Sequence, residues 1–218
     1  MINSKTYIRK LANWDHNVLK KAARAKVLLL GGSAGSSKLI FNLIEQLPPD
    51  FPLPIIVIMH RSRSFKSDIE ILLDSKSALS VCLAEDKTKL RQGYVYFAPP
   101  DYHLLLEPDE TFTLDYSEPV HFSRPSIDST FISVSDVYQD RVVAVLLSGA
   151  NADGSEGLCY IQARNGVAII QDPADAEVKA MPESAISLCK DALILTDESI
   201  FAFIKGIIKE QYFQNGSS

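Results

Sequence analysis

Short aliphatic runs alternate along the chain with stretches whose apolar positions recur every three or four residues. The runs Lys26–Leu30, Pro54–Met59, Ser80–Ala84, Tyr94–Ala98, Val142–Leu147, Val167–Gln171 and Ala192–Leu195 read as strands. Ser37–Gln46, Lys66–Asp74, Ser126–Tyr138, Ser155–Arg164, Pro182–Leu188 and Glu198–Gln211 carry helical periodicity. Strand followed by helix, repeated, implies parallel pairing with right-handed crossovers and helices on both faces of the sheet. Between Tyr94 and Tyr116 the pattern changes: His103–Glu107 and Thr111–Tyr116 alternate around Pro108-Asp109-Glu110 and predict an antiparallel hairpin. The expected fold is therefore α/β, three-layered and doubly wound, with a mostly parallel sheet and an antiparallel hairpin at one edge.

Three of the strands end in residues with chemistry. Val27-Leu28-Leu29-Leu30 runs into Gly31-Gly32-Ser33-Ala34-Gly35-Ser36, which sets a serine between glycines on a strand-to-helix turn. Glycines there accept backbone angles other residues resist, and the helix after the turn aims free N–H groups at the hydroxyl. Ile55–Met59 ends in His60, and Val142–Leu147 ends in Ser148-Gly149-Ala150-Asn151-Ala152-Asp153-Gly154. In an open parallel sheet these carboxyl ends line one crevice, the usual ligand site. A serine, an imidazole to take its proton and a carboxylate to orient the imidazole are the parts of a nucleophilic hydrolase. The order Ser33, His60, Asp153 is not that of the α/β-hydrolases. Plainer readings stand beside this one: His60 as a hydrogen-bonded histidine at a strand end, and Asp153 as the N-cap of the next helix. Nucleotide binding at Gly31–Ser36 is weaker, because Ser37-Lys38 has the wrong order for a Walker turn and the GxGxxG spacing is absent.

With these residues in place, the chain resembles the catalytic domain of the chemotaxis protein-glutamate methylesterases, the CheB family. Gly31–Ser36 is similar to the family's GASTGG turn, His60 to its QHM histidine, and Ser148–Gly154 to its TGMGNDG turn. Further likeness lies in Tyr96–His103, Arg124-Pro125-Ser126-Ile127-Asp128 and Met181–Ile186 with the preceding Gln171-Asp172, in order from about Lys26 to about Ile208. The chain departs from the pattern with Ala34 for Thr, Ser36 for the second Gly, Ala150 for Met, Asn151-Ala152 for Gly-Asn and Ala180 for Gly. The resemblance implies a serine hydrolase that removes methyl esters from glutamate side chains of chemoreceptor-type signalling proteins and deamidates glutamines. Ser33, His60 and Asp153 would be catalytic, with the backbone N–H groups of Ala34 and Ala150 beside the oxyanion. No cofactor is expected, and no His/Cys cluster in the sequence suggests a catalytic metal. The alternative is a catalytically weak binding module of the same fold that docks on a helical signalling partner.

Composition narrows the class. The 218 residues are 46% hydrophobic and 22% charged, ordinary globular usage. A net charge of -5 argues against a nucleic-acid surface, and no apolar run is long enough to span a membrane. Cys82, Cys159 and Cys189 are scattered without CxxC spacing and read as reduced thiols, which with the lack of a signal peptide suggests a cytoplasmic protein. Residues 1–25 form an N-terminal extension, 26–212 the catalytic domain and 213–218 a polar tail. The extension is too short for the family's receiver domain, so activity is expected without a phosphodonor. Within it, Asn17–Arg24 could form a docking amphipathic helix, though a solvated segment is the simpler expectation. Of the other polar residues, His103 reads as a loop cap and Arg124 as either an anion contact or a carboxylate partner. Glu85, Asp86 and Asp172 read as solvated charges.

Overall fold

A computed structural model describes residues 16–60 and 69–215. Its elements, in order, are α1 (His16–Ala22), β1 (Val27–Gly32), α2 (Ser37–Gln46), β2 (Ile55–Met59), α3 (Ile69–Asp74), β3 (Ser80–Leu83) and β4 (Tyr94–Phe97). Next come β5 (His103–Leu106), β6 (Phe112–Asp115), α4 (Ile127–Tyr138), β7 (Val142–Leu146), α5 (Ser155–Ala163), β8 (Val167–Gln171), α6 (Ala180–Leu188), β9 (Leu193–Leu195) and α7 (Asp197–Asn215). Seven strands form one parallel sheet in the order β3-β4-β2-β1-β7-β8-β9.

The central strands are buried along their whole length because both faces are covered. Leu28, Leu30, Ile55 and Val57 face one apolar layer with Ile40, Ile44, Phe203 and Ile207. Val27, Leu29, Ile56 and Ile58 face the other, with Ile127, Phe131, Leu158 and Met181. Helix α2 shows how the sequence selects its place: Leu39, Ile40, Leu43 and Ile44 fall on its buried face, and Leu47-Pro48-Pro49 ends it. The chain moves outward from β1 to β2, then returns to the opposite side of β1 as β7. That reversal puts the topological switch point between β1 and β7.

Three details differ from the sequence expectation. The β5–β6 hairpin is a two-stranded sheet of its own, bonded through Phe112 to residues 87 and 88, because the loop after β3 meets β6 before the main sheet does. Helix α1 is docked: Ala22 and Ala25 are buried, Val18 and Leu19 pack on the first layer, and Leu19 fills the space left by Gly206 of α7. Finally, α7 runs to Asn215, into the expected tail. The start of the expected helix Lys66–Asp74, and the first part of the expected N-terminal extension, lie outside the described residues.

Candidate active site

Ser33 is the first residue beyond β1, and its N–H donates to the Ser148 carbonyl at 2.8 Å across the switch point. The Ser36 hydroxyl and N–H both return to the Ser33 carbonyl, at 2.7 and 3.1 Å, and close the turn. Gly35 has φ +82°, and a Cβ there would lie 2.6 Å from Glu177 Cβ and 2.7 Å from Ser148 Oγ, so both conformation and space require glycine. Behind the turn, the Ser148 hydroxyl donates to the Ala34 carbonyl at 2.7 Å and accepts from the Val178 N–H at 2.8 Å. The Ser148 N–H donates to Gln171 Oε1, whose amide nitrogen donates to Asp197, each at 2.7 Å. Among the described residues, the N–H groups of Ala34 and Ala150 have no acceptor, and both residues are exposed.

His60 is the first residue beyond β2, and the register that pairs Gly32 with Met59 leaves Ser33 and His60 as the next residues on neighbouring strands. His60 Nε2 lies 2.7 Å from Asp153 Oδ2. The Asp153 side chain is fully buried at the N-terminus of α4, and does not cap α5, the helix next in the chain. Its Oδ2 also accepts from the Ile127 N–H at 2.8 Å, while Oδ1 accepts from the Ser126 hydroxyl at 2.9 Å and the Asp128 N–H at 3.1 Å. Burial alone would raise the Asp153 pKa. The hydrogen bonds from His60 and the Ile127 and Asp128 amides outweigh it and hold the carboxyl below the usual carboxylate range. The neighbouring Asp128 goes the other way: burial, opposed by the Gly157 N–H and reinforced by the Asp153 charge, pushes it up to about 6. With an ionised carboxylate on Nε2, that nitrogen carries the imidazole proton, and Nδ1 offers the free lone pair.

The residue on that lone pair is one that no sequence motif had marked. Ser123 Oγ lies 3.3 Å from His60 Nδ1. Ser33 Oγ makes no hydrogen bond to any described residue, His60 included. Ser126, Gln171 and Ser148 stood in the motifs that carried the resemblance but had no assigned role; their work is to hold Asp153 and the serine turn.

Other expectations are corrected here. Asp172 is not solvated; it is buried, and its carboxylate accepts from the Ala174 N–H at 2.9 Å where the chain turns after β8. Arg124, read as an anion contact or a carboxylate partner, donates to the Tyr116 and Ser117 carbonyls at 3.1 and 2.6 Å and stacks on the Tyr116 ring at 3.9 Å. The loop-cap reading of His103 agrees with its contacts: the ring is buried, with Nδ1 accepting from the Ser126 N–H at 3.1 Å and Nε2 at 3.0 Å from the Glu118 carbonyl. Cys159 and Cys189 are joined as a disulfide, with Cα atoms 5.2 Å apart, and only Cys82 is free. Packing of α5 against α6 brings together two cysteines that spacing alone had left apart. Among the described residues, no helix is long and apolar enough to cross a membrane.

A comparison with known families matches residues 28–204 to the CheB methylesterase model. The chain belongs to the CheB methylesterase family. It is 38% identical over 175 residues to a putative protein-glutamate methylesterase/protein-glutamine glutaminase of Leptospira interrogans, covering 80% of this chain and 91% of that one. A protein-glutamate methylesterase/protein-glutamine glutaminase of Thermotoga maritima is 34% identical over 172 residues, covering 78% of this chain and 50% of the relative. The crystal structure of the Thermotoga maritima CheB methylesterase catalytic domain superposes with a TM-score of 0.78 at 32% identity, covering 83% of this chain and 98% of that one. The CheB fold therefore extends over the whole sheet, while α1 precedes the matched region.

Proposed function

We propose that this CheB-family protein is a serine hydrolase that removes methyl esters from glutamate side chains of chemoreceptor-type signalling proteins, and that it deamidates glutamines at such sites. Ser33 is the nucleophile, His60 the general base and Asp153 the group that orients it. The observation that carries the reading is the 2.7 Å His60–Asp153 hydrogen bond one strand away from a serine turn with unpaired N–H groups, in a methylesterase-family chain.

In this reading Ser33 Oγ attacks the ester carbonyl as its proton passes to His60 Nδ1. The resulting imidazolium donates through Nε2 to Asp153, whose charge four donors keep ionised. The Ala34 and Ala150 N–H groups face the developing oxyanion, each worth about 3 kcal/mol in hydrolases of known mechanism. Collapse of the intermediate breaks the carbon–methoxyl bond, and His60 returns the proton to release methanol. Water then repeats the sequence on the acyl-enzyme and frees the glutamate carboxylate; with a glutamine side chain the first product is ammonia.

The test is hydrolysis of a methylated receptor fragment, together with modification by a serine-reactive phosphonate. Ser33→Ala and His60→Ala should each remove most turnover, and the double variant should lose no more than the worse single one, because the groups act as a unit. A double variant that loses the product of the two single effects refutes the unit. A wild-type protein that binds the fragment without hydrolysing it refutes the enzyme and supports a binding module.

A further inference from the structure

The one lone pair of His60 that could activate a hydroxyl is occupied in this structure, and not by the proposed nucleophile. Ser123 holds it from the last position of a tight turn in which Val120 and Ser123 pair with each other through both backbone hydrogen bonds, at 3.2 and 2.8 Å. The turn's two central residues, His121 and Phe122, have φ of +48° and +60°. Two consecutive residues with side chains in the left-handed region carry a conformational cost that such turns normally avoid by using glycine or asparagine. Phe122 projects wholly into solvent, so packing of that ring does not offset the cost.

The groups that hold the turn belong to the site itself. Asn151 Nδ2 reaches the His121 carbonyl and Ser123 Oγ, each at 3.4 Å, while its Oδ1 accepts from the Asp153 N–H at 3.2 Å. His121 Nε2 stands 3.6 Å from Asp128 Oδ2, near it but too far for a hydrogen bond. The turn is thus tethered to the loop that carries Asp153 and to the helix whose N-terminus holds it. Each tether is long, and so is the Ser123–His60 contact, whereas the bonds that fix Asp153 are of ordinary length. The Ser123 hydroxyl has two acceptors in reach, His60 Nδ1 at 3.3 Å and the His121 carbonyl at 3.5 Å, so it can leave the base without being stranded.

We infer that Ser123 is a resting-state cap on His60: it occupies the base's lone pair in the free protein and yields it to Ser33 when substrate enters. Ser123 is a positioning residue, since it acts on the chemistry only through His60. The inference rests on the assignment of Ser33 and His60 in the proposed function. Exchange is a swap of one hydroxyl donor for another at Nδ1; no bond other than hydrogen bonds changes, and the Nε2 proton stays on the imidazole, donated to Asp153, throughout.

The experiment measures the second-order rate of phosphonate modification in the full chain, with the modified residue located by mass spectrometry and each variant's melting temperature recorded. Ser123→Ala and Ser123→Val lack the competing hydroxyl and should react roughly fivefold faster at Ser33, the size expected for loss of one hydrogen bond of ordinary net strength. Ser123→Thr keeps the hydroxyl on the same shape as valine and should react at the wild-type rate. Damage to the site would slow modification, not accelerate it. Label on Ser33 at an unchanged or lower rate in Ser123→Ala and Ser123→Val, or an equal rise in Ser123→Thr, overturns the cap and leaves the Ser33 assignment intact. Label on Ser123 in the wild-type protein overturns the Ser33 assignment and the cap with it.

Discussion

Replacing Asp153 by asparagine exchanges one carboxylate oxygen for an NH₂ group in a site whose four donors leave no room for another. The carboxylate presents two acceptor atoms to two pairs of donors: His60 Nε2 with Ile127 N on one side, Ser126 Oγ with Asp128 N on the other. An amide can present an oxygen to only one pair. In either orientation a backbone N–H at the start of α4 faces another donor, and an unsatisfied buried donor costs about 1 to 3 kcal/mol. Asp153→Asn should therefore lower the melting temperature by roughly 2 to 10 °C for a domain of this size. If the NH₂ group turns to His60, the imidazole must carry its proton on Nδ1 and the lone pair facing the serines is lost. If the oxygen turns to His60, the imidazolium formed during attack loses its counter-charge at 2.7 Å. Either way turnover of a methylated receptor fragment should fall by about 10³- to 10⁴-fold, by analogy with the same change in serine proteases. The stability difference should also depend on pH in a defined direction. A carboxyl whose folded pKa is depressed contributes its stability above the unfolded value and loses it as pH falls through the folded one, so the gap between parent and variant should close below about pH 4. Retention of more than about a tenth of the activity by a folded Asp153→Asn protein would refute Asp153 as the orienting group.

Two other changes probe the surroundings of the site. Gly35→Ala should destabilise the protein by at least about 2 kcal/mol, from the left-handed backbone and the overlap with Glu177 and Ser148; an unchanged thermal melt would show that the turn relaxes freely. Asp128→Asn should gain stability relative to the parent as pH rises from about 4 through about 6, because a buried carboxyl with a raised pKa favours the folded state only while protonated; parallel stability curves for parent and variant would contradict this.

The sheet was readable because its strands are continuous aliphatic runs bounded by glycine, proline and helical period, and burial on both faces leaves no other arrangement for Leu28–Leu30 or Val142–Leu146. Ser33, His60 and Asp153 could be placed at strand ends for the same reason. Ser123 could not, since nothing local marks a serine in a turn after Val120, and its contact with His60 spans 63 positions of sequence. Asp172 looked like a loop charge because the Ala174 N–H that its carboxylate accepts from is a main-chain donor, which every sequence supplies and none advertises. The disulfide was hidden by a separation of 30 residues, and the docked face of α1 by its brevity, with only Ala22 wholly buried within the helix.

Ser33 and His60 reside in the first third of the chain, whereas the carboxylate and the helix terminus that holds it come from beyond residue 125. They meet only when β7 pairs with β1, Val27 against Val142 and Leu30 against Val145, closing a loop whose ordering must precede any gain from the contact. During synthesis the serine and histidine emerge well before the group that makes them a unit. On the proposed assignment, a chain that has not yet paired β7 with β1 carries no organised nucleophile, and hydrolysis would begin only once that pairing, the longest-range in the described sheet, is in place. Recovery of activity on refolding consequently times the β1–β7 pairing, an event that helical content, set by local segments, would register too early.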